Sequence, residues 1–205
     1  MKERGKFIVF EGIDGAGKTT QINLLANYLR EQGRAVYCTA EPTETVSGGL
    51  LRDALSGVTH RTVCEMAAMF VFDRINHNVN PVNGIQKMLA DGFDVICDRY
   101  YYSSLAYQGS GTDPEWVSNM NLNCPEIMRP DVCIFLDLTP EQSMARINRN
   151  RATQEIYENE EKLTLVRNQF YRVFEQLSER DNIQIVNAYR SVEEIHADIV
   201  ALVGK

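Results

Sequence analysis

Five short apolar runs divide the chain: Phe7-Ile8-Val9-Phe10, Val36-Tyr37-Cys38, Val95-Ile96-Cys97, Val132-Cys133-Ile134-Phe135-Leu136 and Ile183-Gln184-Ile185-Val186. Each is rich in β-branched or aromatic residues. The first four are apolar without alternation, the pattern of strands buried on both faces. Gln184 interrupts the fifth, which suits a strand nearer the sheet edge. Between the runs the period lengthens. Ile22, Leu25, Ala26 and Leu29 recur at i, i+3, i+4, i+7, with Gly33 placed to end that helix. A helix is predicted from Thr62 to about Asn78, and Thr139-Pro140-Glu141-Gln142 reads as a cap, a first-turn proline and a capping-box glutamine. Leu163, Val166, Phe170, Val173, Phe174 and Leu177 make one long apolar stripe. Ser191-Val192-Glu193-Glu194 opens a last helix, with Val192, Ile195, Ile199 and Leu202 expected inward. Strands alternating with helices predict an α/β fold, a parallel sheet with helices on both faces. With no repeat, low-complexity segment or linker, the 205 residues read as one domain.

Composition narrows the partners. A net charge of −7 argues against a nucleic-acid polymer or an anionic membrane, both of which need a broad basic face. A small anionic ligand needs only a local cluster of cations and backbone N–H groups. The five cysteines, Cys38, Cys64, Cys97, Cys124 and Cys133, form no Cys-x-x-Cys pair, and three lie in apolar runs as small core residues. They suggest a reducing compartment without structural zinc. No signal-peptide pattern and no membrane-spanning apolar stretch is present, so the expected location is cytoplasmic.

The chemistry begins at Gly12-Ile13-Asp14-Gly15-Ala16-Gly17-Lys18-Thr19, a Gly-x-x-x-x-Gly-Lys-Thr string between the first strand and the first helix. Its glycines let successive backbone N–H groups turn toward phosphate oxygens, and the helix N-terminus adds partial positive charge. Lys18 can reach the β- and γ-phosphates of ATP, and the Thr19 hydroxyl is placed for Mg²⁺. The Asn-Lys-x-Asp string of a guanine-reading GTPase is absent, and motor ATPases need a longer chain. A small-molecule kinase is the simplest reading, with the acceptor still open.

Other residues are ambiguous on spacing alone. Asp98-Arg99 after the third run reads either as a structural ion pair or as a phosphate-facing pair at the edge where α/β sheets bind ligands. Phe70 and Arg74 share a helix face at i, i+4, but Met66, Met69 and Phe70 also read as an apolar core stripe. Glu41 and Arg52 read as solvated charges. Tyr101 and Tyr102 read as ordinary loop packing.

The run Asp98-Arg99-Tyr100-Tyr101-Tyr102-Ser103-Ser104-Leu105-Ala106-Tyr107-Gln108-Gly109 resembles the bacterial thymidylate kinase family. The phosphate loop, Glu41-Pro42, Gly48 to Arg52, Phe70 to Arg74 and Pro130-Asp131 follow in the family's order. The resemblance implies a P-loop kinase fold with a five-stranded parallel sheet, ATP and Mg²⁺, thymidine monophosphate as acceptor, and a homodimer. It implies phosphate contacts for Arg99, and places Glu41 and Arg52 around the acceptor phosphate and sugar. It implies that Phe70 stacks on the base, that Arg74 meets a base carbonyl, that Ser104 and Gln108 lie near sugar and base, and that Asp14 faces the acceptor. Tyr107 is placed to pack on the sugar, and Asp98, ending the third run, can hold Mg²⁺ through water alongside Thr19. Some members carry a catalytic Arg within the phosphate loop. Here that position is Gly15, which turns attention to Arg146, Arg149 and Arg151 in a lid segment spanning about 146–158. Ala40 stands where an Arg often precedes Glu-Pro, Thr43-Glu44 replaces a common Gly-Gly, and Ile156 occupies an Arg place after the lid. The alternatives are a deoxynucleoside kinase, another nucleoside monophosphate kinase, or a non-catalytic ATP-binding regulatory protein.

Overall fold

The structure, a computed structural model, describes residues 3–150 and 160–204, without the side chains of 147–150. The sheet is built from β1 (Phe7–Glu11), β2 (Val36–Ala40), β3 (Asp94–Asp98), β4 (Val132–Asp137) and β5 (Ile183–Asn187). They lie in the order β2-β3-β1-β4-β5, and every pairing is parallel. The helices are α1 (Lys18–Glu31), α2 (Val46–Leu55), α3 (Val63–Val79), α4 (Ile85–Ala90), α5 (Tyr101–Tyr107), α6 (Pro114–Leu122), α7 (Pro140–Asn150), α8 (Glu160–Leu177) and α9 (Val192–Val203).

Strand pleating sorts the apolar residues into two cores. Phe7, Val9, Val95, Cys97, Cys133 and Phe135 face α3, α4, α5, α6 and α8. Ile8, Phe10, Ile96, Ile134 and Leu136 face α1 and α9. Burial on both faces explains the uninterrupted apolar runs of β1, β3 and β4.

Several local expectations hold. The helix expected from Thr62 is present as α3, and Ser191 caps α9 in a reciprocal capping box with Glu194; the structure adds a box between Thr62 and Glu65. At the head of α7, Gln142 N donates to Thr139 Oγ1 at 3.3 Å while Thr139 N donates to Gln142 Oε1 at 3.1 Å. Gly33 ends α1 in a Schellman motif, with its N–H on Arg30 O and that of Arg34 on Leu29 O. The α8 stripe from Leu163 to Leu177 is buried as expected.

Three expectations are corrected. β2 is not buried on both faces: among the described residues it pairs only with β3, its residues are partly buried or exposed, and Cys38 is exposed on this edge strand. On α9, Val192 is exposed and Leu202 only partly buried, while Val203 is inward, so the buried stripe runs Ile195, Ile199, Val203. Tyr101 and Tyr102 lie on a helix rather than in a loop, fully buried, and both hydroxyls donate to Asp181 Oδ2, at 2.5 and 2.8 Å. No helix among the described residues is long and apolar enough to cross a membrane.

Candidate active site

β1 delivers the chain to the C-terminal edge of the sheet, where the loop 12–17 turns into α1. Gly12 has φ 149°, and a Cβ there would stand 2.8 Å from the carbonyl oxygen of Leu136 on β4, so the loop's close approach to the sheet requires glycine. The Lys18 side chain curls back over the loop, Nζ donating to Gly12 O at 3.0 Å. Burial holds its pKa below the ordinary lysine value, and the nearby Arg99 adds to the effect. An ammonium so placed gains when anionic oxygens enter. The loop and the N-terminus of α1 floor a cleft of about 780 Å³, walled by Asp98, Arg99, Arg146 and Arg190.

Arg146 reaches this cleft from α7. Its Nη1 lies 3.4 Å from Gly15 O and its Nη2 donates to Ala188 O at 2.8 Å. A guanidinium thus comes to the loop beside Gly15, supplied by another element. Arg149 belongs to the stretch whose side chains are not described, and Arg151, with the rest of the lid to 158, lies outside the described residues.

A second cleft, about 410 Å³, opens beside the first and shares Asp14, Glu41, Pro42 and Arg99 with it. It gathers the remaining candidates: Arg52, Phe70, Arg74, Ser104, Tyr107 and Gln108 all line it. Phe70 is partly buried, packed beside Leu51, Ala54 and Met66, so it serves both the small core under α2 and the cleft wall. Arg74 is only 1% exposed. Its Nε donates to Glu41 Oε2 at 2.8 Å, Nη2 donates to Ser104 Oγ at 3.2 Å, Nη1 bonds Asn121, and its guanidinium lies 5.3 Å from the Tyr100 ring centroid. Glu41 spends its carboxylate on Arg74 and, at 3.0 Å, on His77. Arg52, exposed on α2, bonds the Thr43 carbonyl. Arg99 pairs with Asp14 at 2.5 Å and lies 5.5 Å from the Tyr107 ring centroid, with its backbone at φ 67°.

Thr19 and Asp98 line the same cleft. Asp98 Oδ1 is buried with no hydrogen-bond partner among the described residues. A lone carboxylate oxygen and a threonine hydroxyl suit Mg²⁺, which keeps several waters and takes few protein ligands.

The sequence profile of the thymidylate kinase family matches residues 10–199. The chain is 42% identical over 207 residues to a protein of Pyrococcus horikoshii named probable thymidylate kinase, covering 98% of this chain and 96% of that one. A protein of the same name from Pyrococcus abyssi is 43% identical over 212 residues, with 98% and 96% covered. A thymidylate kinase of Desulfotalea psychrophila is 37% identical over 198 residues, with 96% and 93% covered. The chain belongs to the thymidylate kinase family.

Four residues that support this thymidylate kinase family site were not singled out from sequence. Glu11, fully buried at the end of β1, accepts from Tyr100 N at 2.9 Å, Ser103 N at 3.1 Å and Ser103 Oγ at 2.7 Å, fixing the start of α5. Burial raises its pKa above the ordinary carboxylate value, while Arg99 opposes the shift. Asp73 accepts from Thr43 N, Thr43 Oγ1 and Ser47 Oγ at 2.8, 2.6 and 2.6 Å, holding the loop after Glu41-Pro42 to α3. That loop also meets Gly48 of α2, where a Cβ would fall 1.8 Å from Thr43 O. Asn121 and His77 complete the surroundings of Arg74. Glu11 ending a strand, Asp73 beside Arg74 and His77 one helical turn on were the available signals, and Asn121 on α6 had none.

Proposed function

We propose that the chain transfers the γ-phosphate of ATP to the 5′-phosphate of thymidine monophosphate, giving ADP and thymidine diphosphate. The reading is carried by one observation: the phosphate-loop cleft opens into a second cleft walled by Phe70 and Arg74, and Asp14 and Arg99 border both. Phe70 offers a ring for a pyrimidine to stack on, and Arg74 a fixed donor for a base carbonyl. Gln108, which can donate and accept, and Ser104 lie beside them. Tyr107 walls the same space where the sugar would lie, and Arg52 stands at its rim.

Phosphoryl transfer asks the protein for positioning and charge neutralisation. Backbone N–H groups of residues 12–17 and the α1 N-terminus cradle the donor phosphates, with Lys18 over them. Arg99 lies between donor and acceptor phosphates, oriented by Asp14. Arg146, Arg149 and Arg151 are the lid-side candidates for a further cation. Thr19 and Asp98 would hold Mg²⁺, which when bound offsets phosphate charge.

A homodimer is part of the proposal. Val46 and Leu50 on α2, and Phe72 and Val79 on α3, are 84%, 49%, 61% and 38% exposed, an apolar set on two packed helices that a second copy would cover. Loss of the dimer in Phe72→Glu, read by light scattering, tests it. Free cysteines and use of ATP fit a reducing cytoplasm. The central test is ADP release across all nucleoside monophosphates and thymidine itself. Preference for thymidine monophosphate supports the proposal; preference for thymidine would make the chain a nucleoside kinase, and no turnover would make it a nucleotide-binding protein.

A further inference from the structure

Arg74 is a long buried side chain with hydrogen bonds on Nε, Nη1 and Nη2, and the residue that holds it needs holding itself. Glu41 follows β2, an edge strand, so side-chain contacts must fix its carboxylate. The two oxygens are divided between partners. Oε2 lies 2.8 Å from Arg74 Nε and 2.7 Å from Nη2, while Oε1 lies 3.0 Å from His77 Nδ1. On the opposite side of the imidazole, Nε2 lies 2.7 Å from Thr39 Oγ1 of β2. His77 is 5% exposed and follows Arg74 by three residues on α3. It lines neither nucleotide cleft, but a neighbouring cavity of about 450 Å³ along β2.

An ionised carboxylate can only accept, so His77 Nδ1 carries the proton facing Glu41, while Nε2 shares a hydrogen bond with the Thr39 hydroxyl. Partners on both nitrogens fix the rotation of the ring. Without the ring, Oε1 would be buried without its donor, and the carboxylate would rotate and carry Arg74 with it.

We propose that His77 is a positioning residue that fixes, through Glu41, the direction in which Arg74 meets the acceptor base. The inference rests on the reading of Arg74 as the base-facing donor. A fixed donor rejects a base that presents an amine where thymine presents a carbonyl, because donor then faces donor; a loosened guanidinium swings away and the rejection weakens.

Steady-state kinetics of the full chain with thymidine monophosphate and deoxycytidine monophosphate test this. His77→Ala should raise the KM for thymidine monophosphate by about tenfold, leave kcat and the KM for ATP within about threefold, and narrow the preference over deoxycytidine monophosphate. His77→Asn, whose amide N–H can take the place of Nδ1–H, should recover most of the loss. An unchanged KM in folded His77→Ala, an equal rise in both KM values, or an Asn variant as impaired as the Ala variant would each overturn the proposal. Should His77→Ala not fold, Thr39→Val must produce the same KM pattern at about two- to fivefold; no effect there is equally decisive against it. Arg74→Ala separates the two levels: if it spares acceptor KM, the base-reading role fails, whereas its effect without one at His77 sinks this inference alone.

Discussion

Arg99 Nη2 stands 2.5 Å from Asp14 Oδ1, an ion pair joining the loop after β1 to the loop after β3 along the line where the two clefts meet. The backbone of Arg99 is left-handed, φ 67°, a conformation that costs a residue with a Cβ about 1–2 kcal/mol. Arg99→Gly and Arg99→Ala should therefore both lose kcat, by about 100-fold or more. Gly should nonetheless be the more stable variant by about 1 kcal/mol in denaturant unfolding. Equal stabilities would mean that the strain is absent.

Lys18→Ala should abolish transfer nearly completely while the melting temperature holds or rises, since the buried ammonium is removed without opening the apolar core. Near-normal turnover by the folded variant would remove Lys18 from the phosphate site.

Arg74→Ala should raise the KM for thymidine monophosphate roughly 10- to 150-fold, the equivalent of one charged hydrogen bond of about 1.5–3 kcal/mol, with little change for ATP. It also strands Glu41 in a buried position, so a fall in melting temperature should accompany the kinetic effect.

Glu11 provides a pH prediction. Its folded pKa lies above the ordinary 4.5 because of burial, so the native state binds this proton more tightly than the unfolded chain. The group lowers stability at neutral pH, and that penalty is relieved as pH falls through the folded value toward 4.5. The melting temperature of the parent minus that of Glu11→Gln should accordingly rise as pH falls across this window. A difference independent of pH would show that the carboxylate titrates normally.

The sequence was most legible where one local rule governs one element. The phosphate loop, the capping boxes of α7 and α9, and the α8 stripe depend on near neighbours and can be read from spacing. The exposure of β2 depends on which strand ends at the edge, and strand order is not written in a run of three apolar residues. The acceptor cleft draws Arg52, Phe70, Arg74, Ser104 and Gln108 from three helices and the end of one of them, so family resemblance, not periodicity, pointed to it. Glu11, Asp73, His77 and Asn121 stayed hidden because each acts by holding another side chain or loop, and a buried polar residue on a helix looks like any other polar residue in sequence.

The position of the two clefts along the sheet also sets the order in which they fail. β1, carrying the phosphate loop, is hydrogen-bonded on both sides, whereas β2, carrying Glu41 and Pro42, has a ladder on one side only. Amide protons of β1 should therefore exchange only through larger openings of the sheet, and those of β2 through its separation from β3. Because Glu41 and Pro42 border both clefts but the phosphate loop follows β1, dilute denaturant should weaken the hold on thymidine monophosphate, through Glu41 and Arg74, before it unravels the phosphate loop itself.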